Sequence, residues 1–116
     1  MSLCCFNSSG LCISSSVFAP ETFVQRARGL LGKSIMNQDE GMILYNCSSI
    51  HMIGMRFSID VVYLDSNMVI TKLVESIKPW RFSFCRKANH TLELAVGSIS
   101  NAQLKVGEQL TIKESK

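Results

Sequence analysis

Phe57-Ser58-Ile59-Asp60-Val61-Val62-Tyr63-Leu64, then Asp65-Ser66-Asn67, then Met68-Val69-Ile70-Thr71-Lys72-Leu73-Val74 is the stretch that decides the fold class. Both flanking runs are rich in β-branched and aromatic residues, which suit a pleated, half-buried surface. The polar residues between them favour a tight turn, because Asp, Ser and Asn bond to their own backbone. The reading is a β-hairpin. Period-two alternation puts Phe57, Ile59, Val61 and Tyr63 on one face, and Ser58, Asp60, Val62 and Leu64 on the other. Asp60 therefore sits among apolar neighbours in mid-strand, where a carboxylate costs free energy unless it is paired. A salt bridge or a backbone brace is the plainer reading, with Arg28, Arg56 and His51 as candidate partners. A binding or catalytic role is the sharper one.

Outward from this hairpin the chain continues to read as strands. Thr91–Ala95, Gly41–Tyr45 and Gln109–Ile112 are short apolar runs. Residues 3–6 and 11–18 flank Asn7-Ser8-Ser9-Gly10 and suggest a second hairpin. Pro20-Glu21-Thr22 has the marks of a helix start, with Phe23, Ala27, Leu30 and Leu31 at helical spacing and a stop near Gly32. Gly97-Ser98 offers a cap for a second helix to about Leu104. Residues 46–54 read as irregular. Ile77 to His90 reads as a long loop, with Pro79 barring central-strand geometry. The expected fold is α+β and β-rich: an antiparallel curled sheet or small barrel of about seven short strands with two short helices. At 116 residues, 47% hydrophobic and 18% charged, a single domain over 1–116 is expected.

The formal net charge is +3. The densest basic stretch, Lys78 to Lys87, places four cations among Trp80, Phe82 and Phe84. It is read as a solvated loop whose aromatics anchor it to the core, so no nucleic-acid partner is expected. Five cysteines, an odd count without a CxxC pair, exclude a disulfide framework and a ribbon-type zinc site. Free, mostly buried thiols are the default. The first 20 residues have no basic region and their apolar run is broken, and no run of 18 apolar residues occurs. Neither a signal peptide nor a membrane span is expected, and the assignment is cytoplasmic.

Cys47 and His51 stand four apart, the minimal kit for a nucleophile or for two metal ligands, with Cys85 able to join from the long loop. A buried Cys and a backbone-bonded His is the plainer reading. Met42, Met52 and Met55 read as core filler. No phosphate-binding glycine loop and no nucleophile elbow is present, and no cofactor is implied.

Arg26-Ala-Arg-Gly-Leu-Leu-Gly32, Glu40-Gly-Met42, Ser49-Ile-His-Met-Ile-Gly-Met-Arg-Phe-Ser-Ile-Asp-Val-Val-Tyr-Leu-Asp65, Leu92-Glu-Leu-Ala-Val-Gly97 and Lys105-Val-Gly-Glu108 occur in that order. This set resembles the small bacterial and archaeal proteins called domain of unknown function 192, over about residues 11–113. The resemblance implies a compact β-rich α+β domain and no assigned activity, and it leaves the compartment open. The chain is similar to the branch reading His-x-x-Gly-Met-Arg-Phe-x-Ile-Asp. In the commoner branch Phe-Trp-Met-Lys-Asn-Thr leads to Leu-Asp. Met55, Arg56 and Asp60 stand in the matching places, without the aromatic and the Asn. Trp80 and Cys85 fit the same branch, which implies that the long loop lies beside Cys47 and His51.

The functional expectation is a small domain that binds an unknown small molecule or protein without catalysis, through Arg28, His51, Met55, Arg56, Asp60 and Trp80. An enzyme using Cys47 with His51, or Asp60 as base, is the alternative. A metal site from Cys47, His51 and Cys85 is the weaker one.

Overall fold

The computed structural model describes residues 3–21 and 33–114. In chain order the elements are β1 (Leu3–Phe6), β2 (Cys12–Phe18), β3 (Glu40–Leu44), β4 (Ser49–His51), β5 (Ile59–Leu64), β6 (Ile70–Ile77), β7 (Phe82–Phe84), β8 (His90–Ala95), α1 (Ser98–Ala102) and β9 (Thr111–Glu114). Seven strands form one sheet in the order β6-β5-β8-β3-β2-β1-β9, and β4 and β7 form a separate two-stranded ribbon. The central hairpin is antiparallel, with Val62 opposite Leu73 and Tyr63 opposite Lys72. Its turn is closed by Asp65, whose side chain accepts from Asn67 N and Val69 N.

Three expectations change. The sheet is mixed rather than antiparallel throughout, because β2 and β3 run parallel. Parallel neighbours need a long crossover, and the chain between Phe18 and Glu40 supplies it; a single crossover is enough. The sheet is also open. Its edges are β6 and β9, with one isolated bridge, Val69 to Gln109, just before each edge strand. Among the described residues the strands number nine rather than seven, since the stretches read as irregular and as loop contain β4 and β7, three residues each. The helix expected near 20–32 falls largely outside the described residues. The one near 98–104 is present as α1 and ends at Gln103, in the left-handed region.

The faces follow the alternation. Ile59, Val61 and Tyr63 pack with Met42, Leu44, Ile50, Met52 and Met55 under the β4–β7 ribbon. Val62 and Leu64 pack with Leu92, Leu94, Ile99 and Leu110 on the α1 side. All six residues of β5 are buried, as a central strand covered on both faces requires. Gly41 fits the close approach of β2, β3 and β8: a Cβ there would come within 3.1 Å of Leu94 Cδ2 and Ser14 Oγ.

Of the thiols, only Cys5 is buried, and burial pushes it up to about 12, which leaves it protonated and inert. Cys12 is exposed and Cys4, Cys47 and Cys85 are half-buried, all five free, so the expectation of mostly buried thiols holds for one. Among the described residues no helix is long and apolar enough to cross a membrane.

Candidate functional site

Asp60 lies 1% exposed on β5, facing α1. None of the expected side chains is its partner among the described residues. Oδ1 accepts from Ser76 N at 2.8 Å, and Oδ2 accepts from Gly97 N at 3.1 Å and Ile99 N at 3.0 Å. Gly97 (φ 95) is the N-cap of α1 and has no side chain to serve its own helix, so Asp60 supplies the cap from across the sheet. Ser76, at φ 55, is held in the left-handed region by the same carboxyl group. All this geometry makes Asp60 a brace among three backbone segments.

Cys47 and His51 are not joined by a hydrogen bond among the described residues. Cys47 Sγ donates to Ser49 O at 3.0 Å, and His51 Nδ1 accepts from Ile53 N at 3.4 Å. Alternation along β4 explains their separation: Ile50 points inward and is buried, while Ser49 and His51 face outward and are exposed. Cys85 faces Thr71 Oγ1 at 3.5 Å, on the inner side of the ribbon. Cys47, His51 and Cys85 are not gathered as three ligands, and no such His, Cys, Asp or Glu group occurs among the described residues. Met55 is core, with its N–H on Met52 O. Arg56 is exposed. Arg28 lies outside the described residues.

Two features escaped the sequence reading. The first is the aromatic loop, which is not anchored in the core. Trp80, Phe82 and Phe84 are 63%, 73% and 63% exposed. The cause is the β4–β7 pairing, with Ser49 opposite Phe84 and His51 opposite Phe82, which turns Ser83 inward and both phenylalanine rings outward. Ser83 Oγ accepts from Tyr63 OH at 2.8 Å, tying the ribbon to the sheet. Trp80 stands at φ 67, with its N–H donating to Met52 O at 2.8 Å. Between the ribbon and the edge strand β6 runs an open groove of about 610 Å³, lined by Lys72, Val74, Lys78, Arg81, Phe82 and Phe84 among others. Lys72 Nζ donates to Phe84 O at 2.9 Å and lies 5.8 Å from the Phe84 ring centre.

The second feature is Glu93, on β8 between Val61 and Met42 and on their face. It is 9% exposed, and among the described residues its carboxyl group has no hydrogen-bond partner. Burial pushes it up to about 7 from 4.5. Burial also raises Tyr63, against the opposing bond to Ser83. The signal was available in Leu92-Glu93-Leu94: a charge in mid-strand, the pattern that singled out Asp60.

The family model DUF192, described as an uncharacterised ACR, matches residues 7–112. A UPF0127 protein of Thermococcus sibiricus is 34% identical over 95 residues, covering 78% of this chain and 61% of the relative, so the match spans under two-thirds of that protein. A Sinorhizobium meliloti structure described as a candidate transcription regulator superposes with a TM-score of 0.80 at 21% identity, covering 94% of this chain and 90% of the other. A Novosphingobium aromaticivorans protein of unknown function gives 0.76 at 15% identity, covering 94% and 82%. At these identities the two structures speak to the fold alone.

Proposed function

This chain belongs to the DUF192 family of uncharacterised proteins, and from that premise we propose that it is a binding module without catalysis. The ligand or partner carries negative charge and an apolar or aromatic part. The observation that carries the reading is the groove between β6 and β7, where Lys72, Lys78 and Arg81 stand beside exposed Phe82 and Phe84. Large exposed apolar groups gathered in one patch mark interaction surfaces. Of the residues expected to bind, His51 and Trp80 fit this face, while Met55 and Asp60 are occupied by packing and by the α1 cap. The alternatives built on Cys47 with His51, or on Asp60 as base, lose support because each group is already engaged with backbone.

Trp80 is the sole tryptophan and stands in the chain between Lys78 and Arg81, which line the groove. Titration with phenyl phosphate should quench its fluorescence saturably and shift amide resonances between Lys72 and Phe84. Shifts confined to some other part of the molecule would overturn the groove assignment. Turnover of an ester, phosphate or glycoside panel that is abolished by Cys47→Ala would overturn the absence of catalysis.

A further inference from the structure

We propose that the outward face of the β4–β7 ribbon, together with the groove beside it, is a docking surface for single-stranded nucleic acid. This rests on the binding reading above and names its ligand class. Charge is the first ground. Residues 72–87 hold five cations and one acid, a local net charge of +4 in a chain of +3, so the remainder is slightly acidic. Among the described residues the one ion pair is Lys33 with Glu40, which leaves Lys78, Arg81, Arg86 and Lys87 without carboxylate partners there. A concentrated positive field of this kind suits a polyanion.

The rings decide which polyanion. Phe82 and Phe84 are two residues apart on one strand, so both side chains leave the same face from Cα atoms about 6.8 Å apart. Bases in a stacked strand recur about every 3.4 Å. Attachment points at about twice that rise suit bases splayed along an extended strand, each lying on one ring. Exposed aromatics beside a basic track are how sequence-tolerant single-strand binders work. Trp80 is held at φ 67 with its side chain in solvent, a backbone cost retained where the surrounding contacts fix it. His51 is exposed opposite Phe82 and adds a further ring to the platform. A duplex keeps its base faces stacked and out of reach of these rings. An acidic peptide would satisfy the cations and leave the rings uncovered.

The test is fluorescence anisotropy with fluorescein-labelled ten-nucleotide oligouridylate and oligodeoxythymidylate, and with a duplex of equal length. The expected result is saturable binding of the single strands, at least tenfold tighter than the duplex. With about three phosphates engaged, affinity should fall about eighteenfold between 50 and 200 mM salt. Lys78→Ala with Arg81→Ala should weaken binding and flatten that salt dependence. Phe82→Ala with Phe84→Ala should weaken it about tenfold or more and leave the salt dependence unchanged. A melt of each variant separates lost binding from lost fold. Ultraviolet cross-linking of the unsubstituted protein to oligouridylate should place adducts within Trp80–Phe84. Equal affinity for duplex, or full binding by the double phenylalanine variant, would overturn the proposal. If phenyl phosphate still quenches Trp80 and neither oligonucleotide binds, this inference falls and the binding reading stands; if none of the three binds, both fall.

Discussion

Two buried acids lie one register step apart on neighbouring strands and meet opposite fates. Asp60 of β5 stands opposite Leu94, and Glu93 of β8 stands opposite Val61, so the two side chains leave the same strand pair on opposite faces. Asp60 meets α1 and receives three backbone N–H groups. Glu93 meets Met42, Val61 and the ribbon side, and receives none among the described residues. Burial alone therefore does not say what an acid does. The donors within reach decide whether it organises the backbone around it or holds a proton.

Removing Asp60 should have the largest effect. Asp60→Ala leaves the N–H groups of Ser76, Gly97 and Ile99 without their acceptor and uncaps α1, at about 3–5 kcal/mol. Asp60→Asn keeps one acceptor but turns an amide N–H₂ toward donors, so urea melts should show it nearly as damaging. A loss under about 1 kcal/mol for either variant would mean that the three bonds do not act as a brace.

Glu93 should behave oppositely, improving the protein when neutralised. The folded chain keeps the Glu93 proton up to about pH 7, whereas an unfolded chain releases it near 4.5. Between those values the folded state binds more protons, so stability falls as pH rises through the window and levels off above it. Glu93→Gln removes that slope. It should match the parent near pH 4 and exceed it at pH 8 by up to about 3 kcal/mol, since each pH unit of that window is worth about 1.4 kcal/mol. Parallel stability curves for the two proteins from pH 4 to 8 would show that Glu93 is ionised in the fold without penalty.

This contrast also locates what the sequence could tell. The 57–74 hairpin, the faces of β5 and the helix after Gly97 were legible because long alternating runs and turn residues carry their own signal. The parallel β2–β3 pair was not, since nothing in either strand records which neighbour it meets after a long crossover. Nor were β4 and β7: three residues are too few for a periodicity, and their pairing is set by Met52, Cys85 and Arg81 bonding across the loops. At the candidate site, Asp60 stood out as a charge in an apolar strand, but its partners are backbone groups, which no residue type announces. Trp80, Phe82 and Phe84 were named correctly as a cluster and read on the wrong side of the ribbon, because facing depends on a register that the sequence does not state.

The ribbon carries the same comparison at lower energies, since its two faces differ in whether a side chain meets the sheet or solvent. Tyr63→Phe removes the hydroxyl bonded to Ser83 and should cost about 1 kcal/mol, read as a lowered urea midpoint with unchanged slope. Its effect should vanish in a Ser83→Ala background if the bond is the whole of it.

The smallest effect is expected from the outward rings. Phe82→Ala and Phe84→Ala remove side chains that are mostly in solvent, so each should change stability by no more than about 0.5 kcal/mol. Phe84 is the more informative of the two, because Lys72 lies 5.8 Å from its ring and donates to its carbonyl oxygen. The backbone bond survives truncation and the ring contact does not, so a Phe84→Ala loss greater than that of Phe82→Ala measures the cation–ring attraction, at most about 0.5 kcal/mol at this exposed site. Equal losses would mean that Lys72 is held by the Phe84 carbonyl oxygen and the Tyr63 ring, 5.9 Å away, and that the Phe84 ring contributes nothing to the fold, which is the condition under which an exposed ring is free to meet a ligand.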